Sequence, residues 1–249
     1  RHSRTDAVTM AVIHEYVPHE ANAWHYTLDS LSDLFAIVAA NRTPQSSPPA
    51  LPNPRSDETL VVETTSEESL DVAYMDFVRL LARRTADLHA ALARPTLNPA
   101  FAPERFSSTY RRSLYQSLRE RVLDIFDRLE RSIAALDESQ WELARQVLSL
   151  RSDLLDLFQR ILTPSTDAVR IRCHGDFHLG HVLFTGKDVT FVNLESNPEV
   201  PPSQRRIKRN PLRDAASMTI SFDYAARVAA CGLGTRRGRA RAGELRHGP

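Results

Sequence analysis

RIRCHGDFHLGHVLFTGKDVTFVNLESN, residues 170–197, is the one stretch that joins strand patterning to a dense run of chemically capable side chains. Val169, Ile171 and Cys173 alternate with Arg170 and Arg172, the period of two expected of a strand with one buried face. The strand ends at His174-Gly175-Asp176, where glycine permits a sharp turn and carries Asp176 beyond the strand end. Val182-Leu183-Phe184 and Val189-Thr190-Phe191-Val192 flank the turn-forming Thr185-Gly186-Lys187-Asp188, a hairpin pattern. That hairpin folds Asn193 and Glu195 back towards Asp176, so groups distant in sequence share one site.

Composition narrows the classes of function. The chain has 249 residues, 42% hydrophobic and 25% charged, the make-up of an ordinary globular protein with a real core. A formal net charge of +1 gives no basis for a nucleic-acid partner or an anionic membrane surface. No segment approaches the ~18 consecutive apolar residues of a membrane span. The opening Arg1-His2-Ser3-Arg4-Thr5-Asp6 lacks the apolar centre of a signal peptide. Cys173 and Cys231, in unlike surroundings, read as free thiols of a reducing compartment, so a cytoplasmic location is expected. The first residue is not methionine, and an upstream portion is expected to be missing.

Outward from the central stretch, the remaining patterning is mostly helical. Upstream, residues 107–135 and 140–162 carry wide apolar stripes, interrupted at Asp137-Glu138-Ser139. Their width favours packing within one domain over a coiled-coil seam. Residues 70–92 form a further helix stopped by Pro95, in which His89 reads as a packed, hydrogen-bonded residue rather than a ligand. The Pro- and Ser-rich run within 43–68, ending in acidic residues, reads as a flexible loop. Residues 24–40 form a helix, 19–23 a loop, and 9–17 a buried strand stopped by Pro18. Downstream, Arg205, Arg206, Lys208 and Arg209 lie in a basic loop that either attracts phosphate or is simply solvated. Residues 212–230 form the last helix, and the Gly- and Arg-rich 231–249 reads as a disordered basic tail.

The spacing of polar groups has a chemical counterpart. Asp176 and His181 are five residues apart, with Asn193 and Glu195 one hairpin later. In kinases a catalytic-loop aspartate accepts the attacking hydroxyl's proton, a side chain five residues on holds a metal ion, and a carboxylate after the next strands holds magnesium. Phosphoryl transfer needs that order because it depends on positioning and charge neutralisation, not on covalent participation by the protein.

Several motifs then resemble one family. His174-Gly175-Asp176-Phe177-His178-Leu179-Gly180, Val182-Leu183, Glu195 with Pro198, Arg205-Arg206, Lys208, Pro211-Leu212-Arg213-Asp214 and Ser221-Phe222-Asp223-Tyr224-Ala225-Ala226 are similar to the bacterial maltokinases. The likeness is to the maltokinase-like region fused to trehalose synthase, and Glu15-Tyr16-Val17-Pro18, Trp24, Tyr26-Thr27-Leu28 and Arg84-Thr85-Ala86-Asp87-Leu88-His89 extend it. The resemblance implies an α+β, predominantly helical C-terminal lobe of a protein-kinase-like (aminoglycoside phosphotransferase-like) fold, with a small β-hairpin at the active site. It implies ATP and Mg2+ as cofactors, maltose as acceptor giving maltose 1-phosphate in trehalose and α-glucan metabolism, and a trehalose synthase domain as partner in cis or in trans. By position, Asp176 is the catalytic base, and His181, Asn193 and Glu195 are the metal ligands. His174, Gly175 and His178 shape the loop, and the backbone of Glu15, Tyr16 and Val17 meets adenine. Residues 1–18 would then be the hinge strand of a largely missing N-terminal lobe, 19–230 the C-terminal lobe, and the phosphate-binding glycine loop and lysine would have no counterpart.

The departures shape the expectation of activity. The family usually carries Gln at the position of His181, and an aspartate at that of Asn193. A neutral amide holds a hard cation less well than a carboxylate, and a rate loss of at least roughly 10²–10³-fold is expected, leaving the chain weak or inactive. Two other readings stand beside the impaired maltokinase: a non-catalytic kinase-like module associated with trehalose synthase, and a related sugar kinase such as a glucosamine kinase. Cys173, His174, His178 and His181 also suggest zinc, although their spacing matches no standard zinc arrangement. A serine hydrolase is disfavoured because no serine sits in a Gly-x-Ser-x-Gly elbow.

Overall fold

A computed structural model describes residues 13–40, 72–163, 168–194 and 205–232. Three helices and one small sheet enclose the core. Helix α1 (Ala23–Ala40) begins where the Asn22 side chain accepts from the His25 backbone N–H at 3.0 Å, a cap of the kind asparagine supplies well. Helix α2 (Val72–Leu92) buries Tyr74, Phe77 and Leu81, spaced three and four apart on one face. The last helix, named α6 below (Leu212–Ala230), buries Met218, Ser221, Ala225 and Ala229 on the same principle and packs along α1. Strand β1 (Ala21–Asn22) pairs antiparallel with β4 (Val182–Phe184), which pairs antiparallel with β5 (Val189–Phe191). The rings of Tyr26, Tyr74, Phe77 and Phe184 meet in the centre; Phe77 contacts Tyr26 and Phe184 edge-on at centroid distances of 5.0 and 5.2 Å. Arg84 of α2 forks onto Asp188 in the β4–β5 turn, with both N···O distances at 2.8 Å.

A second group of helices flanks this core. Ser107 caps α3 (Ser108–Ser132) through its hydroxyl, and Asp137 with Gln140 forms a capping box at α4 (Glu138–Ser149). Helix α5 (Arg151–Gln159) and the 3-10 turn Arg160–Leu162 pack against α3. The two-residue strands β2 (Glu104–Arg105) and β3 (Val169–Arg170) pair antiparallel and lead the chain into the central stretch. Among the described residues no helix is long and apolar enough to cross a membrane.

The helices expected at 24–40, 70–92, 107–135 and 212–230 and the hairpin are present in the described residues. Three expectations need correction. Residues 13–17 are not a buried strand: they adopt no regular structure, and Ile13 is 97% exposed. Their apolar character is insufficient without a ladder to join, and β4 pairs instead with Ala21–Asn22, inside the expected loop. The helix expected at 140–162 breaks at Leu150, whose N–H bonds to Val147 in a tightened turn, so that α4 and α5 are separate. The alternation at 169–173 holds for buried Ile171 and Cys173, but Val169, in a two-stranded ribbon, is exposed. The 43–68 loop, Glu195 and the tail beyond Gly232 lie outside the described residues.

Candidate active site

The loop after β3 is held both at its backbone and through its histidine rings. Ile171 and Arg209 exchange both backbone hydrogen bonds at 2.9 Å, fixing the approach to His174. His174 is fully buried, and its Nε2–H donates to the Val192 carbonyl at 2.9 Å, while Nδ1 is buried with no partner among the described residues. Burial pushes the His174 pKa below the ordinary imidazole value, although the bond to Val192 and the Asp214 charge oppose that. Gly175 has φ of +85°, a conformation that costs other residues energy.

Asp214, in the first turn of α6, supports this turn from behind. It is 1% exposed and accepts from His174 N–H at 2.8 Å, Gly175 N–H at 3.1 Å and the His89 Nε2 at 3.0 Å. Burial alone would raise its pKa, but the bonds from His89, His174 and Gly175 outweigh burial and hold it below the usual carboxylate range. His89 is therefore the hydrogen-bonded packing residue expected of it.

Beyond Asp176 the chain turns back into the core. Phe177 is buried edge-on against Phe191 at 5.2 Å, and Leu179 N–H donates to Ser221 of α6 at 3.1 Å. His178 Nδ1 accepts from Gly180 N–H at 3.1 Å, capping the 3-10 turn Leu179–His181. His181 Nδ1 donates to the Asp176 carbonyl at 2.8 Å, and Val192 N–H donates to the His181 carbonyl at 3.0 Å. The Asp176 carboxylate is half-buried, 3.8 Å from His181 Nδ1 and 4.0 Å from His178 Nε2, beyond hydrogen-bond reach of either. Burial, then the neighbouring His181, pushes the His178 pKa down against the pull of Asp176. Asn193 follows β5 at φ of +60°, a left-handed conformation that asparagine tolerates.

Beside this loop lies a groove of about 470 Å³ lined by Trp24, His178, Ser217, Ile220, Ser221 and Tyr224. Trp24 of α1 and Tyr224 of α6 stack at 5.6 Å, forming an aromatic surface at its side.

The structure thus brings together Asp176, His181, His178, His174 and Gly175. Glu15 and Tyr16 are exposed, and the half-buried Val17 accepts from His19 Nδ1 through its carbonyl at 2.9 Å. The rival zinc grouping does not form as drawn: Cys173 faces the core, as the strand alternation implies, burial and then the Asp214 charge push its pKa up to about 12, and His174 is committed to Val192. The group able to converge on a cation is Asp176, His178 and His181. Lys208 does not await phosphate; it is buried and donates to the Pro99 carbonyl at 2.6 Å and Glu104 at 2.8 Å, where Arg170 also pairs with Glu104. Asp214 and Ser221 as supports of the loop, and the Trp24–Tyr224 pair, were not assigned from sequence. An acid in the first turn after Pro211-Leu212 was the available signal for Asp214.

Magnesium requires oxygen donors in near-ideal octahedral geometry. Among the described residues, the gathered donors are one carboxylate and two imidazoles, and Asn193 contributes no charge. Those donors by themselves do not fit magnesium, and Glu195, the carboxylate expected to join them, lies outside the described residues.

A helix-rich chain that presents an aspartate on a pinned strand-to-turn loop, followed by a hairpin, has the architecture of a phosphotransferase. It belongs to the APH phosphotransferase enzyme family, whose model matches residues 35–192. A glucosamine kinase from Streptacidiphilus jiangxiensis is 27% identical over 163 residues, 65% of this chain and 33% of that protein. Two solved structures share the fold: a glucosamine kinase (crystal form A) and a glucosamine kinase in complex with glucosamine, ADP and inorganic phosphate. Each has a TM-score of 0.55 at 21% identity and covers 86% of this chain, with 42% and 40% of theirs covered in turn. The chain spans less than half the length of these relatives.

Proposed function

We propose that this chain carries the acceptor side of an ATP-dependent sugar phosphotransferase, with Asp176 taking the proton of the attacking hydroxyl. The observation that carries the reading is the placement of Asp176 on a backbone-pinned loop beside the aromatic groove, whose wall includes His178. A pyranose ring lays its apolar face on Trp24 and Tyr224, while Ser217 and Ser221 offer hydroxyls to its polar edge. ATP, when bound, supplies the phosphoryl group; its adenine would meet the backbone of residues 15–17, whose side chains are mostly exposed. The gathered donors alone do not suit magnesium, and a carboxylate at position 193 would supply the charge they lack.

The acceptor on the motif resemblance is maltose, giving maltose 1-phosphate, with trehalose synthase as partner and the cytoplasm as location. Glucosamine is the second reading, favoured by the relative that is 27% identical. Asn193 makes the activity slow in either case. The test is ADP release from ATP with maltose or glucosamine, with the product identified by mass spectrometry. Slow, sugar-dependent release is expected, abolished in Asp176→Ala and raised by roughly 10²-fold or more in Asn193→Asp. Equal rates in the native chain and Asp176→Ala would refute the assigned role.

A further inference from the structure

The mismatch with magnesium has a positive side, because the same donors suit a different class of cation. One donor atom from each of Asp176, His178 and His181 lies within 4.8 Å of the other two. The two imidazoles lie 3.9 Å apart between ring centroids, tilted by 34°. We propose that Asp176, His178 and His181 form a binding site for one borderline divalent cation of the zinc type. The inference does not depend on sugar phosphorylation, since it concerns what the three side chains hold.

Imidazole nitrogen and carboxylate oxygen together select zinc, cobalt and similar ions, whereas magnesium and calcium select oxygen alone. Bonds of ~2.0–2.2 Å to zinc allow two donors on one ion to lie no more than about 4.2 Å apart. Asp176 Oδ2 and His178 Nε2, at 4.0 Å, meet that limit, and a small closing movement brings them to a tetrahedral angle. His181 already has the outer contact that a ligating histidine uses. Its Nδ1–H donates to the Asp176 carbonyl at 2.8 Å, and Nδ1 is also the ring nitrogen 3.8 Å from the Asp176 carboxylate, so presenting the Nε2 lone pair to a shared ion takes a shift of the ring. His178 must change more. Its Nδ1 accepts from Gly180 N–H, so capture of a cation at Nε2 moves the ring's proton to Nδ1 and breaks that contact. The His178 side chain is 42% exposed and has room to adjust. Three protein ligands leave a position open to water, the pattern of an accessible rather than a closed structural site.

The test is titration of the full chain with Zn2+, Co2+ and Mg2+ by calorimetry, together with the visible absorption of the Co2+ form. One Zn2+ per chain is expected, with Co2+ absorption of a low-coordinate nitrogen and oxygen site, and Mg2+ much weaker. His181→Ala should weaken Zn2+ by more than the ~10–100-fold that loss of an outer partner alone costs. Asp176→Asn, which keeps the shape, should weaken it as well, whereas His14→Ala and His19→Ala together should leave it unchanged. Retention of native Zn2+ affinity in both site variants would overturn the proposal, as would Mg2+ binding as tightly as Zn2+ or no binding by the native chain. Thermal unfolding without metal identifies any variant that is merely misfolded, and the comparison then passes to the other. Zinc binding without sugar-dependent turnover would support this site and refute the kinase reading; the reverse result would do the opposite.

Discussion

Replacing Asp214 by asparagine keeps the volume of the side chain and removes one of its two acceptor oxygens together with the charge. In the native chain the carboxylate takes three donors, two of them the backbone N–H groups of His174 and Gly175 in the turn before Asp176. The asparagine amide faces at least one of these N–H groups with its own N–H, leaving buried donors unpaired. Hydrogen bonds to a charged group contribute ~1.5–3 kcal/mol each, and breaking a buried charged contact costs ~3–5 kcal/mol. We expect a loss of about 3–5 kcal/mol, large against the ~5–15 kcal/mol total stability of a typical protein. With an m value of up to ~3 kcal/mol/M, the urea midpoint falls by about 1 M or more. The pH dependence supplies an internal check. Because the folded pKa of Asp214 lies below the ordinary ~3.9, its contribution is present above that value and disappears as pH falls towards the folded pKa. The native chain and Asp214→Asn should therefore converge in acid. In a double-mutant cycle with His89→Ala the two losses should be less than additive, with a coupling of ~0.5–3 kcal/mol. A loss below ~1 kcal/mol, with additive effects, would refute the view that Asp214 holds the turn.

Two other perturbations test the core and the buried ring. Phe77→Ala empties the centre of the aromatic cluster and should cost ~3–5 kcal/mol by urea unfolding with no change in m. His174 has a folded pKa below the ordinary ~6.5, so its neutral burial is free of penalty above that pH and costs stability as pH falls towards the folded value. Acidification from pH 7 to 5.5 should lower the native urea midpoint, and His174→Gln should flatten part of that slope.

How far the sequence revealed this arrangement depended on where the deciding contacts lie. Tyr74, Phe77 and Leu81 announce their shared face by spacing alone, because a helix completes its own hydrogen bonds and needs only somewhere to bury a stripe. The hairpin was equally legible, since Gly186, at φ of +84°, marks a turn between two short apolar runs. Residues 13–17 misled because a strand exists only through its partner, and the partner chose Ala21–Asn22. The site divided along the same line. Asp176, His178 and His181 lie within six consecutive residues and could be grouped by reading. Asp214 and the Trp24–Tyr224 pair act across the packing of α6 on the loop and on α1, which no local pattern encodes.

One small circuit of hydrogen bonds has a wider meaning. The His174 ring holds the Val192 carbonyl, the Val192 N–H holds the His181 carbonyl, and the His181 ring holds the Asp176 carbonyl. None of these bonds uses the side chain of Asp176 or of Asn193. The frame that aligns the two positions is thus blind to what they carry, so either can be exchanged while the other keeps its place. A substitution at either position therefore changes the chemistry on offer without touching the bonds that hold the loop against the hairpin.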